Sequence, residues 1–472
     1  MQNTIASSKT RAALLHRVFW RLHFWAGLLT APIILFAALT GTLYLFTPQI
    51  EAWKYATLDH VASPAAASPV SLDAQLAAAQ AAFPDKSPRT VVPAYQATET
   101  TQVYLEDTEA VPDAHLHHDH MQHAGTAKPE HAGHAQAKAI TVAYINPATG
   151  AVQGALPEAD RFRNWSRKLH SSMLQGEGWR WIIELGASWM LLMLMTGIYL
   201  WWPRSGAGWR QALRWHRSAN ARVNWRYLHS MLAIAVSLLS ITILLTGLTW
   251  SRYAGDNFRA AQNALSQNAP RSPRALQSAH PAENLPMLSA QAIYNRVRAI
   301  APDVQMQITL PRGEHGVWRI ENYDRSQPQK RFQVVLDAYT GTTLFQSDWQ
   351  QLPLLAKATA VGIPFHRGEF GWWNQALLLL VAGAAVFSVI SGYVMWLKRR
   401  RAATVSAPEI GAAHLRAIPW YVATAMLGLC FALPMLGISL LLLLAMEAVA
   451  GLVDCNSEIG SEKRVPGVQD KA

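Results

Sequence analysis

Two cysteines are all that the 472 residues contain, Cys430 in an apolar run and Cys455 in the tail, and no Cys-x-x-Cys-His occurs. This excludes a cysteine-held iron–sulfur cluster and a covalently attached c-type haem. No glycine-rich nucleotide fingerprint is present, so direct nicotinamide or flavin binding has no support. Charge is scarce too, at 15% of residues, and acids are missing from whole stretches. None accompanies Lys9, Arg11, Arg17 and Arg21, nor Arg204, Arg210, Arg214, Arg217, Arg222 and Arg226. The net charge of +11 is therefore gathered into clusters, which argues against a nucleic-acid partner.

What fills the chain instead is apolar sequence, with half the residues hydrophobic and 19 tryptophans. Five blocks, about 24–47, 180–202, 229–250, 373–397 and 418–446, reach the roughly 20 residues needed to cross a bilayer. Lys, Arg and Asp stay at their edges, and Glu184 and Glu447 lie near block ends. The first block is longer than a signal-peptide core and no clear small-x-small site follows it, so it reads as an uncleaved anchor. The basic clusters, including Lys398-Arg399-Arg400-Arg401, place residues 1–22, 203–228 and 398–417 in the cytoplasm by the positive-inside rule. Residues 48–179 and 251–372 then face the periplasm, and five crossings would put the tail 447–472 there as well.

The blocks repeat. His23 and Thr40-Gly41 bracket the first, His229 and Thr246-Gly247 the third, with His and Thr 17 residues apart in both. His170 precedes the second block and His366 the fourth, which close on Thr196-Gly197 and Ser391-Gly392. The long loops match as well. Asn146-Pro147-Ala148-Thr149-Gly150 and Asp337-Ala338-Tyr339-Thr340-Gly341 read as turns between strands, and residues 72–83 and 289–301 have helical apolar spacing. The expected fold is an α-helical membrane protein with a four-helix core. It is built from a duplicated unit of span, small periplasmic α+β domain and span, with a fifth C-terminal span added.

Duplication also sorts the 17 histidines. His23 with His229, and His170 with His366, occupy equivalent positions at opposite faces of the bilayer. Two imidazoles from different helices at one depth are what a noncovalent bis-histidine haem requires. A lone interfacial histidine is more often an anchor or a cap, but four in twofold-related positions favour ligation. His16, seven residues before His23, is an alternative cytoplasmic ligand without a counterpart in the second half; His216 and His414 read as solvated. The Thr-Gly and Ser-Gly steps serve close helix packing or leave room for a porphyrin edge. Most tryptophans at block ends read as an interfacial belt. A separate insertion, 113–138, carries His115, His117, His118, His120, His123, His131 and His134. It is either a metal-gathering segment for zinc, copper or nickel or an unconstrained one.

Taken together, Leu22-His23-Phe24-Trp25-Ala26-Gly27-Leu28, Leu169-His170-Ser171, Leu228-His229-Ser230 and Phe365-His366-Arg367-Gly368-Glu369, in this order and with their paired turns, resemble the PepSY-associated transmembrane family over residues 12–401. The resemblance implies a bacterial inner-membrane protein with two b-type haems. It would take electrons from quinol or another cytoplasmic donor and reduce ferric siderophores to release Fe(II) at the periplasmic face. The fifth block and the His-rich insertion depart from the family pattern. Alternatives are a non-enzymatic membrane sensor or scaffold, a metal-binding protein, a reductase of another metal such as copper, and a transporter. The last is disfavoured because the spans show few mid-membrane polar residues.

Overall fold

Long apolar runs propagate as helix through single glycines and, in the first block, Pro32, and the four strongest blocks do so. The computed structural model describes residues 2–62, 69–108, 140–203, 218–273, 275–279, 285–399, 411–446 and 449. The His-rich insertion with its seven histidines, and His216, lie outside them. Four helices are long and apolar enough to cross a membrane: α1 (Gln2–Leu45), α4 (Arg180–Trp201), α5 (Ala221–Leu248) and α9 (Trp372–Arg399). Helix α1 packs on α4 and α9, and α5 packs on the same two, so α1 and α5 stand diagonally across a four-helix bundle.

Between α1 and α4 come α2 (Leu72–Ala82), strands β1 (Lys86–Val92), β2 (Thr101–Asp107), β3 (Ile140–Ile145) and β4 (Val152–Pro157), and α3 (Phe162–Ser172). The second half repeats the order after α6 (Tyr253–Ala264): α7 (Ala290–Ile300), β5 (Met306–Thr309), β6 (Val317–Asn322), β7 (Phe332–Asp337), β8 (Thr343–Asp348) and α8 (Leu354–Arg367). Both expected helices form where their apolar spacing placed them. Their serine caps are equivalent, Ser71 Oγ accepting from Ala74 N–H and Ser289 Oγ from Ala292 N–H. The two turns fold alike, with Gly150 and Gly341 at φ +73° and +66°, a region that glycine enters without steric cost.

The two loop segments do not remain separate domains. β1 pairs antiparallel with β5, and the strands join into one eight-stranded sheet of order β4-β3-β2-β1-β5-β6-β7-β8. One face carries the core, where Val103, Leu105, Ile145, Ile308, Ile320 and Leu336 pack against α2 and α7. The helices are locked reciprocally: Asp73 accepts from the backbone N–H groups of Ala290 and Gln291, and Gln291 Oε1 accepts from Leu72 N–H. The acid noted in the second block has a structural task. Buried Glu184 accepts from the N–H groups of Tyr253 and Ala254 at 2.9 and 2.8 Å, which satisfies the first turn of α6.

The fifth apolar block differs from the single span expected over 418–446. It forms α10 (Trp420–Ala432) and α11 (Pro434–Met446), bent by 119°. Pro434 is the cause, since proline disfavours helical geometry in the residue before it and offers no N–H. The corner is held by Asn257 Nδ2 donating to Phe431 O, and Trp189 Nε1 donates to Ser439 Oγ on the returning helix. The straight crossing from which the side of the tail was inferred is therefore not formed as one helix.

Candidate functional site

His23 and His229 stand in α1 and α5, near the ends of the bundle remote from the sheet. His170 and His366 are not on the spans they precede. They sit on the short helices α3 and α8, which end in left-handed turns at Met173 and Gly368. These helices fold back onto the sheet-side ends of α1 and α5.

Each histidine meets a Thr-Gly or Ser-Gly step of another helix. His23 Nδ1 lies 3.0 Å from Thr196 Oγ1, His170 Nδ1 3.0 Å from Thr40 Oγ1, and His229 Nδ1 2.8 Å from Ser391 Oγ. His366 Nδ1 lies 2.9 Å from Ile243 O and 3.4 Å from Thr246 Oγ1. The glycine beside the hydroxyl makes room for the ring. A Cβ at Gly41, Gly197 or Gly247 would stand 3.2, 3.3 or 2.7 Å from the imidazole Cε1 of His170, His23 or His366, whereas one at Gly392 would meet nothing within 4 Å.

Donor counting then fixes the tautomer. A hydroxyl has one hydrogen, and these hydroxyls give it to their own helix: Thr196 to Leu192 O, Thr40 to Phe36 O, Ser391 to Ser388 O and Thr246 to Ile243 O. With the hydrogen so placed they accept from the imidazole, which assigns the hydrogen of each histidine to Nδ1. For His366 the neighbouring carbonyl demands the same. Nε2 is left with its lone pair in all four, the state in which imidazole ligates a metal while its other nitrogen is held by a partner.

The rings of His23 and His229 meet, with centroids 6.4 Å apart and planes at 88°; His170 and His366 are neighbours on the sheet side. The first pair opens into a cavity of about 710 Å³ walled by all four spans, within the roughly 300–1,000 Å³ of small-molecule and cofactor sites. Gly27, Ala31, Ala384, Ala385 and Gly392 line it, and Arg222, Arg226 and Arg399 stand at its outer end. Arg399 packs on the Trp20 ring at 4.9 Å, and its Nη1 is buried without a hydrogen-bond partner among the described residues. His16 lines this cavity as well. Among the described residues no group of three or more His, Cys, Asp and Glu forms a conventional metal cage.

A second cavity, about 380 Å³ and polar, lies above the other pair between the sheet and the bundle. Tyr44, Glu51, Gln102, Arg163, Arg367 and Glu369 help to line it. Arg163 precedes His170 by two turns on α3, and Arg367 follows His366 directly. Arg367 pairs with Glu369 at 2.7 Å and donates to Tyr44 OH at 2.9 Å. Burial raises the carboxyl of Glu369 above its usual range, against the pull of Arg367, Arg325 and Arg163. Buried Asn374 braces the same turn, donating to Phe365 O and accepting from Phe370 N–H.

The contact of the four hydroxyls with the histidines is what the sequence did not show, where their steps were read as packing or porphyrin clearance. Their regular place seventeen residues after His23 and His229, and near the close of the other two spans, was the available signal. No curated protein matches the chain. The family profile described as PepSY-associated TM region matches residues 20–399. The chain therefore belongs to the PepSY-associated transmembrane family, as its histidine and turn motifs had suggested.

Proposed function

We propose that this protein is a di-haem b-type electron-transfer protein of the bacterial inner membrane, with the arginine-rich end in the cytoplasm and the sheet in the periplasm. It reduces ferric siderophores, or ferric chelates like them, at the sheet side. The observation that carries the reading is the common state of four histidines in two pairs, each with Nδ1 committed to a partner and Nε2 left to ligate. Two metal–nitrogen bonds of about 2 Å and two half-rings require imidazole centroids about 6 Å apart. The His23–His229 spacing of 6.4 Å fits that requirement.

His23 and His229 would hold one haem, with the cationic rim, Arg399 above all, suited to its carboxylates; His170 and His366 would hold the other. Bound haem would supply one-electron chemistry. The chain's residues orient the imidazoles, exclude water by apolar walls and keep the two sites about 25 Å apart along α1 from His23 to Thr40. Hard oxygen ligands prefer Fe(III), so one added electron loosens their hold on iron without breaking the chelator. Quinol or another donor at the cytoplasmic end would supply the electrons, and lipid surrounds the spans.

Proteoliposomes test the reading. A reductant offered at the arginine-rich side should yield Fe(II) from a ferric chelate at the other side, trapped by a chromogenic Fe(II) chelator. His170→Ala and His366→Ala should abolish the signal. Rates equal to those of protein-free liposomes would overturn it.

A further inference from the structure

The cavity beneath the sheet is lined by more carboxylates than guanidinium groups; each carboxylate has a partner for at least one oxygen, while Oε2 of Glu369 is buried without one among the described residues. Asp59 takes two hydrogen bonds of 2.6 Å from Arg161, Glu369 pairs with Arg367, and Glu99 accepts from the N–H groups of Tyr95 and Gln96. Glu51 accepts from Arg163 N–H at 2.8 Å. The guanidinium of Arg163, in contrast, makes no hydrogen bond or ion pair among the described residues. Gln102 adds a second donor. Its Oε1 faces the hydroxyls of Tyr104 and Tyr323 at 3.3 and 3.5 Å, which leaves its amide N–H groups for the cavity. Arg325, outside the lining, stands close enough to Arg163, Arg367 and Glu369 to add to the positive field there. A desolvated space with unused planar donors is suited to an anionic oxygen ligand, for which a guanidinium fork gives directional, charge-assisted bonds.

We propose that this cavity docks the carboxylate oxygens of the iron chelate through Arg163 and Gln102, so that the protein selects negatively charged ferric chelates over neutral ones. The inference rests on the reductase reading for the identity of the ligand. Arg163 is two helical turns from His170, about 10 Å along α3. A chelate held there stands over the sheet-side histidine pair.

Gallium chelates test this without electron transfer, because Ga(III) resembles Fe(III) in ligand preference and is not reduced. Calorimetry on the purified full chain would compare anionic Ga(III)–EDTA with neutral Ga(III)–tris(maltolate). The anion should bind more tightly. Arg163→Gln should weaken it by about tenfold or more, and change the neutral complex by less than about twofold. Arg163→Lys, which keeps the charge and loses the fork, should fall between. Raising salt should weaken only the anion's binding to the wild-type protein, a readout independent of whether the variants fold. Equal loss for both complexes, unchanged anion binding in Arg163→Gln, or no preference in the wild type would overturn the proposal. Ferric reduction without charge preference would leave the reductase reading standing and this one refuted. Anion binding in a protein that reduces no ferric chelate would do the reverse.

Discussion

His23 Nδ1 lies 3.0 Å from Thr196 Oγ1, and with the threonine's hydrogen on Leu192 O, 2.9 Å away, the histidine is the donor. Two residues 173 positions apart thus fix one proton. Thr196→Val keeps the shape and deletes the acceptor. Outer-shell partners of ligating histidines typically contribute roughly 10- to 100-fold in metal affinity. Haem titration of the apoprotein should show a loss of that order at the His23–His229 site, with Thr196→Ser restoring it. Unchanged affinity would remove the hydroxyl from the account.

The glycines give a graded test. Gly247→Ala puts a methyl 2.7 Å from His366 Cε1, Gly41→Ala and Gly197→Ala put one at 3.2 and 3.3 Å from their rings, and Gly392→Ala meets nothing within 4 Å. Pigment retained per chain, read from the Soret absorbance, should fall most for Gly247→Ala and least for Gly392→Ala. The opposite order would show that the steps serve helix packing alone.

Much of this was legible in the sequence, and the exceptions have physical causes. Duplication singled out His23, His229, His170 and His366 because repeated spacing survives in one dimension. The partner of His170 did not, because Thr40 is 130 positions away and only the folding of α3 back onto α1 brings them together. The turns at 146–150 and 337–341 were visible from their Asn, Asp and Gly. The merging of both halves through β1 and β5 was not, since strand patterns specify hairpins and say little about which edges meet. The bend at Pro434 was not foreseen, because the fifth block was judged by the length of its apolar run alone.

The turns themselves predict a pH effect. Burial pushes the carboxyl of Asp337 up, but bonds from the N–H groups of Thr340, Tyr339 and Ala279 outweigh this and hold it below the usual range. A depressed carboxyl stabilises the fold above its unfolded value, and that contribution is lost as pH falls through its folded value. Asp337→Asn keeps the acceptors for Tyr339 and Thr340 but turns a donor toward Ala279 N–H, at a cost of about 1–3 kcal/mol near neutrality. Thermal unfolding should show the gap between variant and wild type narrowing as pH drops below about 4. A gap independent of pH would refute the assignment.

The histidine pairs predict separable losses. His23→Ala and His229→Ala should each remove the same pigment centre, as should His170→Ala and His366→Ala the other, so that each variant retains about half the haem. Loss of both centres from one substitution, with the protein still monodisperse, would contradict two independent sites.

The most direct measurement is the visible spectrum of the detergent-purified chain from haem-replete cells, with haem extracted and counted per protein. The account predicts Soret and α bands of a b-type cytochrome on dithionite reduction and two noncovalent haems per chain. A folded, colourless protein would contradict it.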